Sequence, residues 1–108
     1  MNSEYEKLER DGKVAVLYSP GFGAGWSTWN TEPRYRGLLF DREIVEFVLA
    51  DDLDAAISLA EKKYPDVYLG GGGGLTVEWV PKGERFIVEE YDGAENVTII
   101  WPDFGTVA

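Results

Sequence analysis

Apolar and polar positions alternate along three stretches in the last third of the chain and recur at helical spacing in its middle. In "LTVEWV", Leu75, Val77 and Trp79 share one face; in "RFIVEEY", Phe86 and Val88 do; in "NVTIIW", Val97, Ile99 and Trp101 alternate with Thr98 and Ile100. Period-two patterns joined by the turns "PKGE" and "DGAE" predict a β meander. "KVAVLYS", Lys13 to Ser19, is a further strand that ends at Pro20 and Gly21. Asp41 is placed to cap a helix over "REIVEFVLA", with Ile44, Val45, Val48 and Leu49 apolar. Asp51 or Asp52 can cap a second helix, where Leu53, Ala56, Ile57, Ala60 and Tyr64 form one stripe that Pro65 stops. "DVYLG" reads as a short strand, "TEPRYRGLLF" has no clean period, and residues 1–12 read as a flexible lead-in. The expected fold is α+β: one domain over residues 13–108, with a small antiparallel or mixed sheet of 4–5 strands packed against two short helices.

Composition narrows the chemistry. The 108 residues include four Trp, six Tyr and five Phe, enough to build a core without metal or disulfide. No cysteine and no histidine are present, which removes thiol nucleophiles, thiolate zinc sites, imidazole acid/base catalysis and His-ligated metals. No acidic cluster has metal-ligand spacing, and no cofactor is expected. No run is long and apolar enough to span a bilayer, and "MNSEYEKLERDGK" lacks a signal-peptide core, so a cytoplasmic protein is expected. A net charge of −10 argues against direct nucleic-acid binding. It would steer the chain toward a basic protein surface, or simply keep it soluble.

Two glycine-rich segments are the candidate sites. "LYSPGFGAGWSTWN" follows a strand, and Gly21, Gly23 and Gly25 would let backbone N–H groups point into a concavity. Ser27, Thr28 and Asn30 could complete an anion cradle, with Trp26 or Trp29 stacking on a ring. The spacing matches neither the dinucleotide fingerprint nor a Walker loop. The plain alternative is a structural loop whose tryptophans enter the core. Gly70 to Gly74 form either a flexible hinge or a second pocket wall, centred on Gly72 and opposite residues 20–30. Arg34, Arg36 and Arg42 are the densest basic group, able to hold a phosphate or to pair with nearby acids. Asp51, Asp52 and Asp54 suit a helix start. Glu89, Glu90, Asp92 and Glu95 surround a hairpin turn, where they could face a basic partner or keep the strand pair soluble.

"VLYSPGFGAGWSTWN" and "VEWVPKGERFIVEEYDGAEN" together resemble a group of small, mostly uncharacterised proteins encoded by tailed bacteriophages. The resemblance implies a protein of the infected bacterial cytoplasm and an accessory role, such as antagonism of host defence. It brings no catalytic residues. Two binding readings follow. In the first, a phosphate-bearing small molecule such as a nucleotide signal is captured at Gly21, Gly23, Gly25, Trp26, Ser27, Thr28, Trp29, Asn30, Arg34, Arg36 and Gly72. In the second, Glu89, Glu90, Asp92 and Glu95 cover a basic or nucleic-acid-binding surface of a host protein. Catalysis is the least supported, since Ser19 and Ser27 lack an activating base in the sequence. A homo-oligomer is also expected, because "NVTIIW" is an apolar strand with no lysine or proline to blunt an edge.

Overall fold

Lys13–Tyr18 has apolar residues at four successive positions, and Val14, Ala15, Val16 and Leu17 are all fully buried. A strand of that kind must be covered on both faces. The computed structural model describes residues 5–21, 25–100 and 105–108, and this strand lies at its centre. Strand β1 (Glu9–Arg10) joins β2 (Lys13–Tyr18) through Asp11 and Gly12, whose φ angles of 52° and 78° are those of a tight hairpin turn. Strand β3 (Thr76–Pro81) pairs antiparallel on the other side of β2, giving the order β1-β2-β3. A second three-stranded sheet holds β4 (Arg85–Tyr91), β5 (Ala94–Ile100) and β6 (Thr106–Val107) in the order β5-β4-β6.

Three α-helices follow one another in the middle of the chain: α1 (Gly37–Phe40), α2 (Arg42–Leu49) and α3 (Leu53–Lys63). The alternation of β2 sorts the core into two clusters. Ala15 and Leu17 pack with Ile44, Val45, Ala56, Ala60 and Tyr64 on the helical side. Val14 and Val16 pack with Val80, Phe40 and Phe86 on the side of the second sheet. The layers are therefore helices, first sheet, second sheet. At about 1.5–3 kcal/mol for each large apolar side chain buried, two such clusters give the chain an ample core.

The α+β class agrees with the sequence pattern, and both helix caps stand where they were expected. Asp41 Oδ1 accepts from the Glu43 N–H at 3.0 Å, and Asp52 Oδ1 from that of Ala55 at 3.1 Å. Several details differ. From Tyr5 onward the expected lead-in belongs to the fold: Leu8 is buried and residues 9–10 form a strand. The expected meander is divided, because β3 pairs with β2 and only β4 and β5 form a hairpin. Residues 67–69 are not a strand, and Gly70–Gly74 form a 3-10 helix that leads into β3. "TEPRYRGLLF" contains a 3-10 turn at Pro33–Tyr35, started by the proline's fixed φ, and then α1. Trp101 lies outside the described residues. No helix among the described residues is long and apolar enough to cross a membrane.

Candidate functional site

The glycine-rich loop does cradle an anion, and that anion is the chain's own Glu95. Its carboxylate is fully buried. Oε1 accepts from the Ser19 N–H at 2.9 Å, and Oε2 accepts from the N–H groups of Trp26 (2.7 Å) and Thr28 (3.0 Å) and from the Thr28 hydroxyl (2.6 Å). The Glu95 N–H in turn donates to the Ser19 carbonyl at 2.8 Å. A buried charge is tolerated when several donors converge on it, and charge-assisted bonds of this kind are the strong ones. The expectation that Glu95 joins an exposed acidic row is thus corrected. Its place in β5 turns it inward, under the loop that begins where β2 ends.

The other loop residues are mostly occupied in holding this arrangement. Trp26 is fully buried, and its indole N–H donates to the Leu38 carbonyl at 2.8 Å, so it anchors the loop rather than stacking on a ligand. The Asn30 amide donates to the carbonyls of Trp26 and Tyr68 and accepts from the Tyr68 N–H, each at 2.8 Å. Gly25 is buried so tightly that a Cβ there would stand 2.6 Å from the Thr28 hydroxyl and 2.7 Å from the Trp29 ring. A Cβ on Gly72 would meet Ile57 at 2.6 Å and Trp26 at 3.5 Å. The 70–74 segment does face the loop, but Gly72 packs in the core, against Ile57 and Trp26. Trp29 is 41% exposed and lies 5.2 Å from the Tyr68 ring, as an aromatic pair at the surface. Gly21 is exposed at the loop's start, and Gly23 lies outside the described residues.

Two adjoining recesses open beside this loop. The first, of about 430 Å³, has an apolar floor of Leu39, Phe86 and Val88 and a polar wall of Ser27, Thr28, Asn30, Thr31 and Arg36. Glu32 and Glu90 also line it. The second, of about 520 Å³, is lined by Lys7, Arg34 and Arg36 together with Tyr5, Phe40, Gly105, Thr106 and Val107. No carboxylate lines it among the described residues. That is unusual in a chain with 20 acidic and 10 basic residues. Arg36 and Thr106 belong to both recesses.

The cations of the second recess are held differently. The Lys7 ammonium lies 4.4 Å over the Phe40 ring and donates to the Val107 carbonyl at 3.1 Å. Burial lowers its pKa, with Arg36 and Lys82 acting the same way and Glu9 opposing them. Arg34 lies over the Tyr35 ring at 4.7 Å and touches Glu32 at 3.5 Å, an exposed pair of little strength. Burial raises the pKa of the Tyr5 hydroxyl, with Arg36 opposing. Arg42, the third arginine of the basic group, instead pairs with Glu46 and Glu6 away from both recesses. Lys7 was the residue the sequence did not single out. Its signal was weak, a lysine in the stretch that reads as a lead-in.

Next to the Glu90–Glu95 pair, Asp92 and Gly93 turn the β4–β5 hairpin with φ angles of 53° and 87°. Tyr91 beside them is 78% exposed, and Glu89, Glu90 and Asp92 are exposed around it. Glu90 accepts from the Gly93 N–H at 2.7 Å and Glu89 from the Thr98 hydroxyl at 3.0 Å.

A third polar centre is buried at the start of α2. Asp41 Oδ2 accepts from the Tyr64 hydroxyl at 2.8 Å and from the Lys63 ammonium at 2.7 Å, and Lys63 also reaches Glu43 at 3.0 Å. No group of acidic residues able to hold a metal ion occurs among the described residues. No family model matches the chain, and neither a curated protein nor a solved structure matches it.

Proposed function

We propose that this chain is a non-catalytic binding protein that captures a small phosphate-bearing molecule, such as a nucleotide signal, in the two recesses joined by Arg36. The observation that supports it is the gathering of Lys7, Arg34 and Arg36 around a recess without a lining carboxylate, in a molecule of net charge −10. A phosphate there meets guanidinium forks and an ammonium. The uncharged body of the ligand extends past Arg36 onto Leu39, Phe86 and Val88, beside the hydroxyls of Ser27 and Thr31. This moves the ligand off the loop's backbone N–H groups, which already serve Glu95, while Ser27, Thr28 and Asn30 still line the first recess. Tight binding and release need no chemistry on the ligand, which fits a chain without histidine or cysteine. With the tailed-phage resemblance, the reading makes it an accessory protein of the infected bacterial cytoplasm.

Calorimetry with inorganic phosphate and with mono-, di- and cyclic nucleotides tests this. A nucleotide is expected to bind, and Arg36→Ala to weaken it at least tenfold, with Arg34→Ala weaker in effect. If none binds tighter than about 100 μM, roughly −5.5 kcal/mol, the reading is rejected.

The exposed Tyr91 supports a second reading, in which the hairpin tip docks on a basic host protein. An aromatic side chain ringed by acids offers one anchor and a steering field. It predicts a salt-sensitive partner lost on charge reversal at Glu89, Glu90 and Asp92. A partner list from bacterial lysate that is unchanged by those substitutions rules it out.

A further inference from the structure

The hydrogen-bonding capacity of the first recess is one-sided. The Thr28 hydroxyl has a single proton, which goes to Glu95 at 2.6 Å, so its oxygen can only accept from a ligand. Both Asn30 amide protons are used, on the carbonyls of Trp26 and Tyr68 at 2.8 Å, which leaves only its oxygen. The Tyr35 hydroxyl likewise donates to the Pro65 carbonyl, at 2.9 Å. Glu32 and Glu90 are acceptors by nature, and a carboxylate offers about four lone-pair sites. Glu32 touches Arg34 at 3.5 Å, and Glu90 takes the Gly93 N–H at 2.7 Å, so each keeps capacity for a ligand. The hydroxyls of Ser27 and Thr31 can turn either way.

The second recess has the opposite character. Lys7, Arg34 and Arg36 are donors with no acceptor, and among the described residues no carboxylate lines it. Arg36 lines both recesses and marks the boundary between them. A ligand that spans the two is therefore matched when it carries negative charge at one end and N–H donors at the other. Between these ends the floor of Leu39, Phe86 and Val88 suits the face of a flat ring.

We infer that the ligand is a nucleoside monophosphate whose base carries an exocyclic amino group, as adenine and cytosine do. This rests on the phosphate reading of the second recess and names the group that the first recess selects. The base lies on the apolar floor, and its amino group donates to Glu90. Cytosine and adenine present an N–H donor where uracil presents a carbonyl acceptor, and carboxylates are natural partners of the cytosine amine. A carbonyl placed against Glu90 gains no bond and meets like partial charge. Glu95 acts here at one remove: by taking the Thr28 proton, it fixes that side of the wall as an acceptor.

Calorimetry with two matched pairs tests the inference: CMP against UMP, and AMP against purine riboside 5′-monophosphate, which lacks only the amino group. Ribose 5-phosphate reports the second recess alone. The amino member of each pair should bind about tenfold tighter. Glu90→Gln keeps an oxygen for the Gly93 N–H but turns an amide donor to the recess, and should reduce that preference to about twofold or less. Glu89→Gln, on the other face of β4, should keep it. Equal affinity within both pairs overturns the inference, and the phosphate reading survives if any of the five compounds still binds. A preference that Glu90→Gln leaves intact, or that Glu89→Gln removes equally, also overturns it. If none of the five binds tighter than about 100 μM, this inference and the phosphate reading fall together.

Discussion

Asp41 and Glu95 are both buried carboxylates, and the protein neutralises them by different means. Asp41 sits at a helix start, 1% exposed, with a lysine and a tyrosine hydroxyl on the same oxygen. Glu95 has no cation among its bonded partners and relies on three backbone N–H groups and one hydroxyl. An ion pair can relax when one member is lost, because Lys63 still has Glu43 and partial access to water. Backbone donors fixed in a buried loop cannot. The arrangement without a counter-charge is therefore the more brittle one.

This difference can be broken open by substitution. Glu95→Ala leaves three N–H groups facing an empty space, and a loss of roughly 3–5 kcal/mol is expected by analogy with one-sided removal of a buried charge pair. Urea unfolding measures it, and a loss under about 1 kcal/mol would mean that water replaces the carboxylate without cost. Asp41→Ala should cost less, about 2–3 kcal/mol, combining a lost helix cap with a partly relieved ion pair. The order of the two values is the sharper test. If Asp41→Ala is the more damaging, the contrast between ion pair and backbone cradle is wrong.

Smaller effects refine it. Thr28→Val removes the hydroxyl donor but keeps the backbone one, and about 1.5 kcal/mol is expected. In a Glu95→Ala background the same change should cost almost nothing, since the two act as one unit. Of the two carboxylate centres, alkaline pH probes that of Asp41. Burial, and then the bond to Asp41, hold the Tyr64 hydroxyl well above its ordinary pKa of 10.0. For Lys63, burial alone would lower the pKa, but the bonds to Asp41 and Glu43 raise it above 10.5. Both groups keep their protons longer in the folded chain than in the unfolded one. Their contribution is complete below pH 10.0 and is lost as pH rises through the folded values. The contribution of this centre to the unfolding free energy should thus stay level up to that point and decline above it, and Tyr64→Phe should show a shallower decline than the unmodified chain.

The same pair shows what a sequence can and cannot disclose. Asp41 could be read as a cap because its first partner, Glu43, is two residues away. The helical stripe from Leu53 to Tyr64 was legible for the same reason, as its periodicity is local. Glu95 beside an Asp-Gly turn has the sequence of an exposed hairpin acid. Its burial is decided by Ser19, Trp26 and Thr28, which lie 76, 69 and 67 residues away. The loop was recognisable as a cradle from its glycines, but not what would fill it. Arg34 and Arg36 were visible as a basic group, whereas Lys7 joins them only because β1 pairs with β2 and brings the start of the chain alongside.

The closure between Ser19 and Glu95 also sets a timetable. Strand β2, apolar on both faces, leaves the ribosome before β3, which pairs along its whole length, and long before the residue that fixes the loop at its end. At about 5–20 residues per second, the 76-residue separation corresponds to a delay of roughly 4–15 s. During that interval the most hydrophobic segment of the molecule has only the β1 hairpin and the nascent helices to cover it. Long-range pairings of this kind form slowly even in a finished chain. Yield in cells should consequently depend on chaperone supply and on synthesis temperature more steeply than the stability of the finished fold alone would require.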